Sequence, residues 1–290
     1  MNRRHAMVAT AAMAAVAAVP GPSAAQQTPV SPTGSNVLRG ADVPWVPMAE
    51  WEILSTARAE QSGARILIAA GDEEIARAPQ DAVKYRAKTF AFPTGDIRIL
   101  DFTQAAGGVL HQVTYETQIY VLQGSAEVGV AGVPTPIFAG DVVSLPSGVL
   151  RSQQGKAEDT VIIAYTVAPP KDGKSKLVRA ADAPEATIRQ GEKSGQGGTT
   201  VTVKRYVFDG NSIRVAALTK GGRTTEVKPD TDALIYLLSG RMGITIGPET
   251  TVVEAGDALR EPAGLPTFWE VTENASFIST SAPFTPNPAN

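Results

Sequence analysis

The feature that most constrains the fold of this chain is an internal repeat at one spacing. "KTFAFPTGDIR" from Lys88 returns as "KRYVFDGNSIR" from Lys204, "YVLQG" ending at Gly124 as "YLLSG" ending at Gly240, and "AGDVVSLPSG" from Ala139 as "AGDALREPAG" from Ala255. The pairs 88 and 204, 124 and 240, and 139 and 255 share an offset of 116. One offset through three separated blocks implies a duplicated unit. "LRGADVP" from Leu38 returns as "VRAADAP" from Val178 at an offset of 140, so the first copy carries about 24 extra residues between Pro44 and Lys88.

Each copy is built from short runs rich in Val, Ile, Thr and Tyr, such as "QIYVLQ", "TVIIAYTV" and "RMGITIG", separated by Gly and Pro turns. This spacing predicts an all-β sandwich or barrel in each copy. The extra piece in copy one is rich in Ala, Glu and Arg with apolar residues at helical spacing, and is expected to form a small helical insertion over about 46–87. The expected organisation is a leader at 1–25, a first domain at 37–167, a linker and lead-in at 168–200 and a second domain core at 201–284. The glycine-rich "EKSGQGGTT" is expected to be an exposed loop.

The first 25 residues read as a secretory signal peptide. "MNRRHAM" is a basic n-region, "VATAAMAAVAAV" a short apolar h-region, and "PSAA" ends in small residues suited to cleavage. Export to the bacterial periplasm or medium is therefore expected, by the general secretory or the twin-arginine route. The chain has no cysteine and two histidines, so removal of the leader with His5 leaves His111 alone. No later run approaches the ~20 apolar residues of a membrane helix. A net charge of −3 without basic blocks argues against a nucleic-acid partner. No Gly-x-Ser-x-Gly elbow, phosphate loop or calcium-loop spacing is present.

Both copies resemble the cupin superfamily of small β-barrels, and the mature chain resembles a bicupin: two tandem jelly-roll (double-stranded β-helix) barrels. "GDVVSLPSGVLR" and "GDALREPAGLPT" carry the glycine and proline skeleton of the second cupin motif. That motif ends in a histidine, and the first supplies a His-x-His pair and a glutamate. Cupins of the full pattern hold a metal ion with these four residues. Here the resemblance places His111, Val113, Thr117 and Arg151 at those positions in copy one, and Glu226, Lys228, Ala233 and Thr267 in copy two. Val113 and Ala233 have no lone pair, and Arg151 and Lys228 would set positive charge against a cation, at a cost on the order of several kcal/mol in a poorly screened pocket. No metal or other cofactor is therefore expected. The remaining metal reading is an irregular site using His111 with Glu116 and Glu127.

Period-two alternation sets His111, Val113 and Tyr115 on one strand face, and Arg151 and Gln153 on one face of another. On the functional reading His111 is a general acid or base, Arg151 a clamp for a carboxylate or enolate-like oxygen, and Glu116 or Tyr115 orients the imidazole. On the structural reading His111 bonds to backbone, and Arg151 turns outward or pairs with Glu116. In copy two, Glu226 and Lys228 share a strand face, either as a surface ion pair or lining a binding pocket with Thr267 and Trp269. Trp269 also reads as core. Arg98 and Arg214, at matching places, are expected to make a salt bridge common to both copies.

The function classes left open are a binding protein for a sugar or small organic acid, a metal-independent lyase, isomerase or hydrolase using His111 and Arg151, and a dioxygenase or decarboxylase with the irregular metal site. The partner expected is a small molecule, and full chains can pair as homodimers through β-edges.

Overall fold

The computed structural model describes residues 35–47, 85–102, 116–130, 133–145, 151–155, 160–167, 175–191, 198–208 and 211–281. Among them every regular element is a strand: β1 (Val37–Leu38), β2 (Val46–Pro47), β3 (Tyr85–Phe92), β4 (Gly95–Phe102), β5 (Glu116–Gln123), β6 (Ser125–Val130), β7 (Val133–Phe138), β8 (Val142–Leu145), β9 (Arg151–Gly155), β10 (Thr160–Val167) and β11 (Lys176–Val178). They continue as β12 (Glu185–Gln190), β13 (Thr199–Phe208), β14 (Asn211–Leu218), β15 (Gly222–Arg223), β16 (Ala233–Ser239), β17 (Arg241–Ile246), β18 (Glu249–Glu254), β19 (Ala258–Glu261), β20 (Thr267–Val271) and β21 (Ala275–Ser281). The helical insertion expected over about 46–87 falls mostly on 48–84, outside the described residues; its flanks, β2 and the start of β3, are strand and pair with each other.

Two seven-stranded antiparallel sheets carry the fold. In one the order is β11-β8-β5-β10-β4-β3-β2, in the other β1-β19-β16-β21-β14-β13-β12. Replacing each strand of the first by its repeat equivalent gives the second, so the duplication seen in sequence is a duplication of topology. A smaller sheet faces each: β7-β6-β9 in the first half and β15-β20-β17-β18 in the second. The result is an all-β, jelly-roll arrangement of paired sheets.

Three cores follow from which faces meet. Ala87, Leu100, Phe102, Ile119, Val121, Val143 and Leu145 turn inward against Ala126, Val128 and Ile137 of the small sheet. Val201, Ala216, Leu218, Ile235, Leu237 and Leu259 do the same in the second half against Met242, Ile244, Val253 and Trp269. The opposite faces of the two large sheets share a third core, in which Phe90, Ile97, Ile163 and Tyr165 of the first half meet Tyr206, Ile213, Leu234 and Ile278 of the second. Full burial of each such side chain stabilises by about 1.5–3 kcal/mol relative to exposure. Central strands are thus covered on both faces, which is why "TQIYVL" and "ALIYLL" are nearly continuous apolar runs. The outer strand β18, "ETTVVE", alternates instead, with only Val253 of the run buried.

The lead-in segments are exchanged. β1, ahead of the first half, pairs with β19 of the second, and β11, ahead of the second half, pairs with β8 of the first. The aspartate of each "AGD" motif holds the exchanged arm. Asp257 accepts from Arg39 Nη1 at 2.7 Å, from the Gly40 amide at 2.9 Å and from the Glu254 amide at 3.1 Å. Asp141 accepts from Arg179 Nη1 at 2.7 Å, from the Ala180 amide at 2.9 Å and from the Phe138 amide at 3.0 Å. Both carboxylates are buried. Lys88 and Lys204 reach the Gly40 and Ala180 carbonyls in the same way. The turns are kept by glycine: Gly124 and Gly240 both have positive φ, 73° and 77°, and a Cβ at Gly240 would lie 2.2 Å from the Asn274 carbonyl oxygen.

Candidate binding site

In the second half the inner faces of five strands converge. β16 contributes Ala233, β19 Glu261, β14 Arg214, β20 Thr267 and Trp269, and β21 Phe277 and Ser281. The alternation that buries Leu259 on the inner side puts Glu261 there too, one pleat nearer the end of the sheet, where it is partly exposed. Trp269 Nε1 donates to Glu261 Oε1 at 3.0 Å, and its ring stacks on Phe277 with centroids 5.4 Å apart and planes 11° from parallel. The Trp269 amide donates to Thr224 Oγ1 at 2.9 Å, which fixes the strand beneath the indole. Glu261 Oε2 has no hydrogen-bond partner among the described residues, nor has the fully buried Thr267 Oγ1. Burial pushes the Glu261 carboxyl up to about 7, against the opposing pull of the Trp269 hydrogen bond and the Arg214 charge.

Arg214 Nη2 donates to Ser281 Oγ at 3.3 Å, and its register partner across the sheet is Arg205. Neither arginine makes a carboxylate salt bridge among the described residues. Burial and the Arg205 charge both lower the affinity of Arg214 for its proton, while Glu261 raises it. Ile244 and Ile246, register partners of Trp269 and Thr267, also line a cleft of about 330 Å³ that opens between β17–β18 and the arm residues Ser35–Val37.

The first half differs at the same places. Leu145 stands where the second half has Glu261, Thr117 where it has Ala233, and Asp96 where it has Ser212. Arg98 is held there by Asp96, with Nη2 at 2.6 Å and Nε at 3.1 Å from one carboxylate oxygen. The salt bridge expected to be common to Arg98 and Arg214 is therefore made in one half only, because β14 carries a serine where β4 carries the aspartate. Thr117 Oγ1 is buried without a hydrogen-bond partner among the described residues.

Of the residues singled out in the sequence, His111, Val113 and Tyr115 lie outside the described residues. Arg151 and Gln153 are placed by backbone alone, on β9, opposite Val130 and Val128 of β6. Glu116 is buried on the face of β5 that turns away from the inner core, where Ser144 Oγ donates to it. It does not share a face with Thr117, because one step along a strand reverses the side chain. The equivalent pair in the second half, Asp232 and Arg260, is an ion pair at 2.6 Å. Glu127 sits between Ala126 and Val128, both in the inner core, and so points outward. Glu226 and Lys228 are exposed and share no strand: the chain there leaves β15 for a loop that meets β20 at Thr224 and again at the bridge Val227–Thr267. Glu226 pairs with Arg223 at 3.3 Å rather than with Lys228. Thr267 and Trp269 are on the inner face together, Trp269 serving both as core and as partner of Glu261.

Sequence reasoning missed Glu261 and the inward turn of Arg214. The signal was present at the repeat offset, where an acid in "REPAG" answers the leucine of "SLPSG".

The metal set of the full cupin motif does not fit the second half. Its inner donors are one carboxylate and neutral hydroxyls facing a guanidinium, whereas a tightly held transition metal needs three or more imidazole, carboxylate or thiolate ligands. Among the described residues no group of three His, Cys, Asp or Glu converges, and no helix is long and apolar enough to cross a membrane.

Residues 207–276 match the family model of the EutQ-like cupin domain. No curated protein matches the chain in sequence. Among solved structures, AerE from Microcystis aeruginosa is similar with a TM-score of 0.56 and 14% identity, over 69% of this chain and 92% of that one. A mutant of Bacillus subtilis oxalate decarboxylase OxdC is similar with a TM-score of 0.57 and 12% identity, over 88% of this chain and 79% of that one. Identities this low establish the fold alone. The C-terminal part of this all-β chain is therefore a cupin domain, EutQ-like over residues 207–276.

Proposed function

We propose that the chain is an exported bicupin that binds a small organic molecule, a sugar or small organic acid, without the metal that cupins of the full motif hold. The observation that carries this reading is the inner end of the second half, where Arg214, Glu261, Thr267 and Trp269 lie on the inner faces of neighbouring strands and Ala233 and Thr267 occupy two of the motif's metal-ligand positions. A few convergent polar groups on an apolar, aromatic wall suit recognition of a small molecule. Export is supported by the leader-like first 25 residues. The test is metal analysis of the purified chain together with calorimetric titration against sugars and small acids before and after chelation. Binding without stoichiometric metal, unchanged by chelator, is expected; a bound iron, manganese, nickel or zinc in either half whose removal abolishes binding would refute the reading.

A further inference from the structure

The two halves differ in how their inner charges are balanced. In the first, Arg98 has the Asp96 carboxylate beside it on the same strand. In the second, Arg205 and Arg214 stand in register on neighbouring strands, and like charges placed directly opposite each other repel. Glu261 is the carboxylate whose charge reaches Arg214, and its Oε1 is occupied by the indole N–H. Among the described residues no carboxylate forms an ion pair with either arginine, and both guanidinium-bearing residues are exposed at the inner end. The inner end also holds a buried hydroxyl, Thr267 Oγ1, without a partner among the described residues, and the partly exposed Glu261 Oε2, to which no described residue donates. An unmet buried polar group is costly, and a ligand hydroxyl would relieve that cost.

We infer that the inner end of the second half binds a small hydroxy acid, its carboxylate against the Arg214 guanidinium, its hydroxyl toward Thr267 Oγ1 and Glu261 Oε2, and its carbon skeleton on the Trp269–Phe277 pair. This rests on the small-molecule reading above and narrows it to one chemical class. The guanidinium supplies the anion clamp, since its planar fork of N–H donors matches a carboxylate and a charge-assisted hydrogen bond is about twice as strong as a neutral one. Thr267 Oγ1 on β20 selects for the hydroxyl, because an acid lacking it leaves this buried oxygen unmet. The first half, with Leu145 in place of Glu261 and Arg98 already neutralised, does not offer the same combination.

The test is calorimetric titration of the full chain with lactate, glycolate and gluconate, each beside a control lacking one group: propionate without the hydroxyl, lactamide and glucose without the carboxylate. At least one hydroxy acid binds, and its controls bind about tenfold or more weakly. Arg214→Gln lowers affinity by about tenfold or more, while Arg214→Lys, which keeps the charge, retains part of it. Thr267→Val removes the preference for lactate over propionate with the unfolding midpoint monitored alongside. Failure of all three hydroxy acids to bind, equal binding of glucose or lactamide, or unchanged affinity in folded Arg214→Gln each overturn the assignment. Glucose bound alone, insensitive to chelator, overturns the hydroxy-acid class and leaves the metal-free reading standing. Binding that vanishes with a chelated metal overturns that reading itself.

Discussion

The two halves agree where they hold the chain together and disagree where they face their own interiors. Asp141 and Asp257 each clamp an arm from the opposite half with three hydrogen bonds of nearly the same lengths. Gly124 and Gly240 turn alike, and the orders of the two large sheets are identical. Yet Leu145 answers Glu261, Asp96 answers Ser212 and Thr117 answers Ala233. The clamp must satisfy fixed backbone amides, so its geometry admits few alternatives. An inner position packs against other side chains, which can change together with it, so its chemistry differs between the halves while the frame persists.

The comparison breaks most visibly at the clamps. Asp257→Ala and Asp141→Ala each strand an arginine and two amides, and each is expected to destabilise by about 3 kcal/mol in chemical denaturation. A large loss in one and none in the other would show that only one arm is held by its aspartate.

Glu261→Gln sharpens the inner contrast at intermediate size. A carboxyl whose folded value is raised from 4.5 to about 7 contributes most to stability below pH 4.5 and loses that contribution as the pH rises through about 7. The unfolding midpoint of the parent chain should therefore fall relative to Glu261→Gln across this window, by a few degrees, and run parallel to it above. A constant difference from pH 4.5 to 8 would mean that burial does not hold the proton on this carboxyl.

The Tyr206 hydroxyl donates to the Gly140 carbonyl at 2.6 Å and the Tyr165 hydroxyl to the Ile278 carbonyl at 3.0 Å, both across the halves. Tyr206→Phe and Tyr165→Phe should each cost about 1 kcal/mol, matched to within a few tenths. The smallest effect belongs to Glu226→Ala, which removes an exposed pair and should change stability by about 0.5 kcal/mol or less with no change in ligand affinity; an affinity loss there would bring the β15–β20 loop into the site.

The all-β class and the topological duplication were legible in the sequence because both rest on local signals, namely turn residues, β-branched runs and one constant offset. Thr267 and Trp269 were legible as neighbours for the same reason, since period-two spacing along one strand needs no knowledge of the rest. Glu116 was not: its partner Ser144 is 28 residues away on another strand, and one step of register exchanges the inner core for the interface between halves. Glu226 and Lys228 were assigned to a shared strand face because their spacing matches period two, but spacing does not say whether a strand is there.

Local sequence encodes the frame: two copies of one strand pattern, the glycine turns and the repeated "AGD". Tertiary structure alone decided that the arms cross between halves, that Arg214 lacks the carboxylate Arg98 possesses, and that Glu261 meets an indole N–H. The physical reason is range. Turns and strands are encoded by neighbours in the chain, whereas exchange of arms, charge balance and the raised proton affinity of Glu261 arise only when segments distant in sequence are brought within a few ångströms in a poorly solvated interior.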